Sequence, residues 1–255
     1  MARIIPLSEG SFTVDGTKKF LPFDTTRDTL AERSRGSLLV EIQPFLVITD
    51  KDCILLDTGL GFEDAPGQIR LHQLMRSHGV DPSSVTRVLM SHLHKDHAGG
   101  IQRRDEATGE QTLNFPNATY YVNARELEYG FAQDGKSYDA GQFSLLREAP
   151  NVVLTAEEGE IGGNIRYQMT GGHCPYHQVF WITDGPQEIF FAGDVAPQLS
   201  QIKNRFIAKY DYDGRRSMEL RQAFVQEGTR EGWTFLFYHD IRTPMTTLGG
   251  GAQGR

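Results

Sequence analysis

Three histidines and an aspartate lie within six consecutive positions in the segment Ser91-His92-Leu93-His94-Lys95-Asp96-His97-Ala98-Gly99-Gly100. The segment follows the apolar Val88-Leu89-Met90 and runs into a glycine pair, so it falls where a strand ends and the chain turns. Alternate side chains of an extended backbone share a face, which turns His92 and His94 to the same side. Asp96 and His97 lie just past the strand end, where the chain bends back. Neutral imidazole is a favoured ligand for zinc and other borderline divalent metals, whereas carboxylate oxygens suit harder cations and can also bridge or accept protons. The spacing therefore points to two adjacent metals sharing one loop. A surface loop that happens to be histidine-rich accounts for one or two such residues, not for four at one strand end.

The rest of the composition sets bounds. A chain of 255 residues with 38% hydrophobic content can bury a substantial core, and it predicts a single domain over 1–248. The final segment, 249–255, carries no core-forming residue and reads as a flexible tail. A formal charge of -7 argues against a general nucleic-acid footprint, which relies on clustered Lys and Arg. The amino-terminal residues lack an apolar run followed by a small-residue cleavage site, and nothing approaches the ~20 apolar residues of a membrane helix. Cys53 and Cys174 are too few for a disulfide framework. These features predict a soluble, cytoplasmic protein with a small-molecule substrate and neither nucleic acid nor membrane as a partner.

In chain order, 1–37 reads as an entry strand and a long loop. Two β-rich runs, 38–49 and 53–56, flank Asp50-Lys51-Asp52 as a hairpin, and Asp57-Thr58-Gly59 closes the second run with turn chemistry. Apolar spacing predicts a helix over 68–78 that stops at Gly79, with His72 and His78 on it as packing or solvated residues. A strand at 86–90 then delivers the metal cluster. Helix, loop and strand in this order indicate an α/β fold. The polar segment 102–111 reads as an exposed loop, 118–123 as a strand, 124–132 as a helix and 133–150 as a helical insert over the cleft. Strands at 152–155 and 164–169 lead to His173, and 178–183 with 187–192 flank the hairpin turn Asp184-Gly185-Pro186. A long loop over 195–212 lies at the mouth of the site, where specificity is commonly set. A helix that follows Asp213-Gly214 and runs through Glu227, and a strand over 233–238, complete the chain.

Five motifs in order resemble the metallo-β-lactamase superfamily. His92, His94, Asp96 and His97 are similar to its signature, Asp57 to its buried strand-end aspartate, and His173 in Gly171-Gly172-His173-Cys174-Pro175-Tyr176-His177 to its third-ligand loop. Asp194 in Phe191-Ala192-Gly193-Asp194 resembles the bridging carboxylate and His239 in Tyr238-His239-Asp240 the final histidine. The resemblance implies a four-layer αββα sandwich. It assigns His92, His94 and His173 to one metal, Asp96, His97 and His239 to a second, and Asp194 to both. It further implies that Asp57 holds the metal loop by hydrogen bonds, although an aspartate in that position can equally well satisfy backbone donors in a turn.

The cofactors expected are two zinc ions per chain, with iron or manganese as other possible occupants. Superfamily oxygen reductases commonly carry glutamate in place of His94 and add a flavin-binding domain, and neither feature occurs here. The function predicted is hydrolysis of a small-molecule ester or lactone by a hydroxide bridging the two zinc ions, with Asp96 also assisting proton transfer to the leaving group. A glyoxalase II-type thioesterase or a phosphotriester hydrolase is the alternative, and a metal-binding module without turnover stands behind both. Zinc β-lactamases of the superfamily usually place cysteine or histidine where Asp194 stands, which argues against β-lactams. Cys174 and Tyr176 occupy places usually held by threonine and glycine. His177 is expected to support the site by hydrogen bonding.

Overall fold

The computed structural model describes residues 1–105 and 107–248; the tail expected at 249–255 lies outside the described residues. Two six-stranded sheets dominate it. The first runs, from edge to edge, Arg3–Pro6, Phe45–Ile48, Cys53–Leu56, Arg87–Leu89, Thr119–Asn123 and Val152–Thr155. The second runs Glu158–Ile161, Ile165–Met169, Gln178–Asp184, Gln187–Phe191, Thr234–Leu236 and Met245–Thr247. A smaller three-stranded sheet pairs Phe20–Pro22, Gly10–Val14 and Leu38–Ile42.

Strand periodicity places the layers. Ile54 and Leu56 point into a core shared with Phe180, Ile182, Ile189 and Phe191 of the second sheet, so this core lies between the sheets. Their neighbours Cys53 and Leu55 point the other way, against Leu71 and Met75 of helix Arg70–Ser77 and Leu127 of helix Ala124–Ala132. On the far side of the second sheet Trp181, Phe190 and Phe235 pack on Leu220 and Phe224 of helix Gly214–Glu231. Helix, sheet, sheet and helix follow one another, giving the αββα sandwich.

The helices are crossover connections between parallel strands, which is what brings the functional loops to one edge. Cys53–Leu56, Arg87–Leu89, Thr119–Asn123 and Val152–Thr155 all pair parallel, so Asp57 and Ser91 emerge side by side. In the second sheet Gln187–Phe191 and Thr234–Leu236 are parallel too, which brings Asp194 and His239 out together. Helix Gly214–Glu231 makes that crossover. Its first turn is capped by the Asp213 carboxylate, which accepts from the Arg216 N–H, and it ends at Gly232 with φ +73. Gly228 on this helix lies close against the sheet, where a Cβ would stand 2.5 Å from the Phe235 ring.

Several boundaries differ from expectation. The β-rich run 38–49 divides at Gln43-Pro44 into two strands that belong to different sheets. Proline has no N–H to give a ladder, and the Gln43 amide donates to the carbonyls of Phe237 and Asp240 at 2.7 and 3.0 Å, pinning the break to the second half of the chain. The 102–111 loop is instead bounded by a small hairpin, Gln102–Arg104 with Gln111–Leu113. The insert at 133–150 holds only short 3-10 turns, Ala140–Gln142 and Ser144–Arg147. The last helix continues past 227 to Glu231, where Gly232 stops it.

Candidate metal centre

The loop after Arg87–Leu89 is fixed by Asp57 before any metal is considered. Asp57 is fully buried and holds φ +56, a left-handed conformation that aspartate tolerates better than most residues. Its Oδ1 accepts from the Ser91 N–H at 2.7 Å; its Oδ2 accepts from Ser91 Oγ at 2.6 Å and His97 Nδ1 at 2.7 Å. The strand-end aspartate therefore does more than close a turn: it orders both ends of the histidine loop.

Three imidazoles then face one another. His92 Nε2 and His173 Nε2 each lie 3.0 Å from His94 Nδ1. Nitrogens bound tetrahedrally to one zinc at about 2.0–2.1 Å stand roughly 3.3 Å apart, so this spacing fits a common ion. Beside them Asp96, His97 and His239 gather donor atoms within 4.8 Å of one another. Asp96 Oδ2 is 3.7 Å from His97 Nε2 and 3.4 Å from His239 Nε2. Asp194 stands between the groups. Its Oδ1 is 3.3 Å from His97 Nε2 and 3.0 Å from His239 Nε2, while its Oδ2 is 3.3 Å from His173 Nε2. A further cluster of Asp57, His92 and His97 is already occupied by the hydrogen bonds of Asp57.

The outward nitrogens of these rings are spoken for. His92 Nδ1 meets Ser91 Oγ at 3.0 Å, His173 Nδ1 meets Asp211 Oδ1 at 2.8 Å, and His239 Nδ1 meets the Glu41 carbonyl at 2.7 Å. With the proton on Nδ1, each ring turns an Nε2 lone pair inward. His97 Nε2 and Asp194 Oδ1 are buried and make no hydrogen bond, so both lack a partner that a cation would supply. Electrostatics agree. Burial and then neighbouring imidazoles hold His92 and His94 well below the usual histidine range, in the neutral form a metal requires. Burial also disfavours charge on His97, but Asp194, Asp96 and Asp57 outweigh it and raise its pKa well above normal. Burial likewise opposes ionisation of Asp194, yet His239, His97 and His173 hold its pKa well below normal. This corner of the site favours positive charge.

The structure brings together His92, His94, Asp96, His97, His173, Asp194 and His239. Gly193, at φ +46, makes the approach possible, since a Cβ there would stand 2.7 Å from Ser91 Oγ and 2.8 Å from His177 Nε2. His177 Nε2 accepts the Asp194 N–H at 3.2 Å, the supporting role expected of it. Cys174 turns away from the cluster and donates to Glu126 Oε2 at 3.3 Å. His72 packs edge-on against Phe115, with its pKa lowered to about 4, chiefly by burial. Two supporting residues escaped the sequence reading. Asp211 lies in a loop with no motif; Glu126 has the look of a helix-surface residue, yet it is buried and accepts from Leu93 N, Tyr138 Oη and Cys174 Sγ.

A cavity of about 520 Å³ opens over the cluster. His94, Asp96, His173, Asp194 and His239 reach its surface, as do Gln198, Phe206 and Tyr210 from the mouth loop, which also contains the short helix Leu199–Lys203.

Two sheets that converge on a histidine and carboxylate cluster define an α/β protein with a candidate two-metal centre. The chain belongs to the metallo-beta-lactamase superfamily, whose family model matches residues 41–239. An N-acyl homoserine lactonase, AttM of Azorhizobium caulinodans, is 35% identical over 111 residues; the match covers 41% of this chain and only 38% of that protein. Among solved structures, one titled as a probable metal-dependent hydrolase from Staphylococcus aureus superposes with TM-score 0.78 at 21% identity, covering 98% of this chain and 94% of the other. AidC, a dizinc quorum-quenching lactonase in complex with a product, superposes with TM-score 0.70 at 18% identity, covering 96% and 90%. At these identities the superpositions establish the shared fold.

Proposed function

We propose that this chain is a dinuclear zinc hydrolase that opens a small-molecule ester or lactone. The observation that carries the reading is the pairing of two donor groups across Asp194, with His97 Nε2 and Asp194 Oδ1 buried and unpartnered. His92, His94 and His173 would hold one cation, Asp96, His97 and His239 the other, and Asp194 both. When bound, the two cations supply Lewis acidity that activates water and polarises the substrate carbonyl.

The chain's own residues provide the rest. Asp211, Glu41 and Ser91 fix the inward tautomers of His173, His239 and His92. The Tyr238 hydroxyl donates to the Asp96 carbonyl at 2.7 Å and its ring stacks on His97, which sets where the Asp96 carboxylate projects. That carboxylate lines the cavity, and in this reading it would pass a proton to the departing oxygen. Water and an ester give an acid and an alcohol; a lactone gives one hydroxy acid. The matched AttM and AidC proteins are lactonases by name, which supports lactones within this class.

Elemental analysis of the purified protein, paired with a turnover screen of lactone, aryl ester, thioester, phosphotriester and β-lactam substrates, tests the reading. Zinc near two equivalents with lactone or ester turnover is the expected result. Turnover confined to thioesters or phosphotriesters would redirect it, and failure to bind metal after reconstitution would sink it.

A further inference from the structure

The cavity carries positive charge that the metal cluster does not explain. Lys18, Lys95 and Lys136 all line it. Among the described residues every ion pair draws its cation from arginine, histidine or the amino terminus, and none from lysine. The acids on the same wall are already engaged. Asp211 binds His173 at 2.8 Å, Asp96 lies 3.4 Å from His239, and Asp194 faces three imidazoles. In a chain of net charge -7, three lysines line one concave surface, and among the described residues no salt bridge neutralises any of them.

Their placement is held by the backbone. The Lys95 N–H donates to the Ser137 carbonyl at 2.9 Å, which ties the segment bearing Lys136 to the histidine loop. Tyr138, next in that segment, packs edge-on against His94 at 4.6 Å. Lys18 comes from the opposite side, on the turn between Gly10–Val14 and Phe20–Pro22. It holds φ +59, and its N–H donates to the Asp15 carbonyl at 3.0 Å. From the same sheet Val14, Phe20 and Leu39 give the cavity an apolar wall. Lysine is a flexible point charge that meets an anion without imposing a planar geometry.

We propose that Lys18, Lys95 and Lys136 form a subsite for an anionic group on the substrate, so that the ester cleaved carries a carboxylate remote from the scissile bond. This rests on the hydrolase reading and names its substrate class. The apolar wall takes the carbon chain between the two ends, and the lysines also raise the local concentration of anionic substrate.

The test uses the full chain loaded with zinc and two substrates of equal chain length: p-nitrophenyl pentanoate and the mono-p-nitrophenyl ester of glutaric acid. The quantity read is the ratio of kcat/KM for the anionic ester to that for the neutral one. The wild type is expected to favour the anionic ester. In K18Q/K136Q the ratio is expected to fall about tenfold, and further in K18E/K136E; a tenfold change corresponds to about 1.4 kcal/mol. Both lysines are exposed, so these variants should fold. A ratio at or below one in the wild type, or one unmoved by either double variant, overturns the subsite. Absence of turnover on both esters counts against hydrolysis alone, and calorimetry then decides the subsite. Glutarate binding more tightly than pentanoate, with the gap closed in K18Q/K136Q, supports it; equal binding overturns it.

Discussion

Asp57→Asn isolates the contribution of one buried carboxylate to the metal loop. Asparagine is nearly isosteric and tolerates the left-handed backbone found at φ +56, so the substitution changes hydrogen bonding without adding backbone strain. The carboxylate serves three donors: Ser91 N–H, Ser91 Oγ and His97 Nδ1. An amide offers only one oxygen. If that oxygen stays with Ser91 N–H, its NH2 confronts the other two donors; if it flips, the buried Ser91 N–H is left facing an N–H. Either arrangement strands at least one buried donor, which costs about 1–3 kcal/mol. In one of them His97 also loses the acceptor that fixes its tautomer. Losing such a partner to a ligand histidine typically weakens metal affinity about 10–100-fold. The assay is urea unfolding of the metal-free protein together with zinc affinity by competition against a chelator. Unfolding free energy and zinc affinity both equal to those of the wild type would refute the argument.

Three more outcomes are expected. Asp194→Ala removes the carboxylate whose two oxygens face His173 on one side and His97 and His239 on the other, so bound zinc should drop towards one equivalent and hydrolysis should be abolished; full metal content and activity would refute the bridging assignment. Burial raises the Glu9 pKa to about 7 despite the Leu60 N–H it accepts, so the folded state holds a proton there that the unfolded state releases near the ordinary glutamate value of 4.5. Stability is therefore lost as pH rises from the unfolded value through about 7, and Glu9→Gln should reduce the fall in unfolding free energy between roughly pH 5 and pH 8 by about 2–3 kcal/mol. A wild-type-like pH profile in the variant would count against it. Gly228→Ala drives a methyl to 2.5 Å from Phe235 and should destabilise by about 1–3 kcal/mol in thermal or urea melts, with no change in metal content.

Legibility in the sequence followed the range of the interactions. His92, His94, Asp96 and His97 could be read because their geometry is local, set by a strand end and one turn. His173, Asp194 and His239 became readable only by resemblance, since a histidine or aspartate after a strand has many ordinary uses. Glu126 stayed hidden because its donors, Leu93, Tyr138 and Cys174, come from three separate segments. The break at Gln43-Pro44 is hard to read because both halves of 38–49 are β-prone: Pro44 only removes one ladder donor, and the tertiary bonds of the Gln43 amide to Phe237 and Asp240 pin the break. The edge strand Glu158–Ile161 is polar at alternate positions and short, so it offers little apolar signal. The lysines of the cavity wall arrive from a turn, a loop and the metal segment, a convergence that no single stretch announces.

Placing the donors on two sheets has a mechanical consequence. Residues 92–97 hang from the first sheet, whereas His173, Asp194 and His239 hang from loops of the second. Cations seated among them would act as rivets through the joint between the two halves of the chain, and the unfolded chain has no such joint to rivet. At a free metal concentration about 100 times the dissociation constant, one such ion adds about 2.7 kcal/mol to the folded state. Chelation is therefore expected to lower the stability of the seam, with opening expected to begin at the edge where the cavity lies.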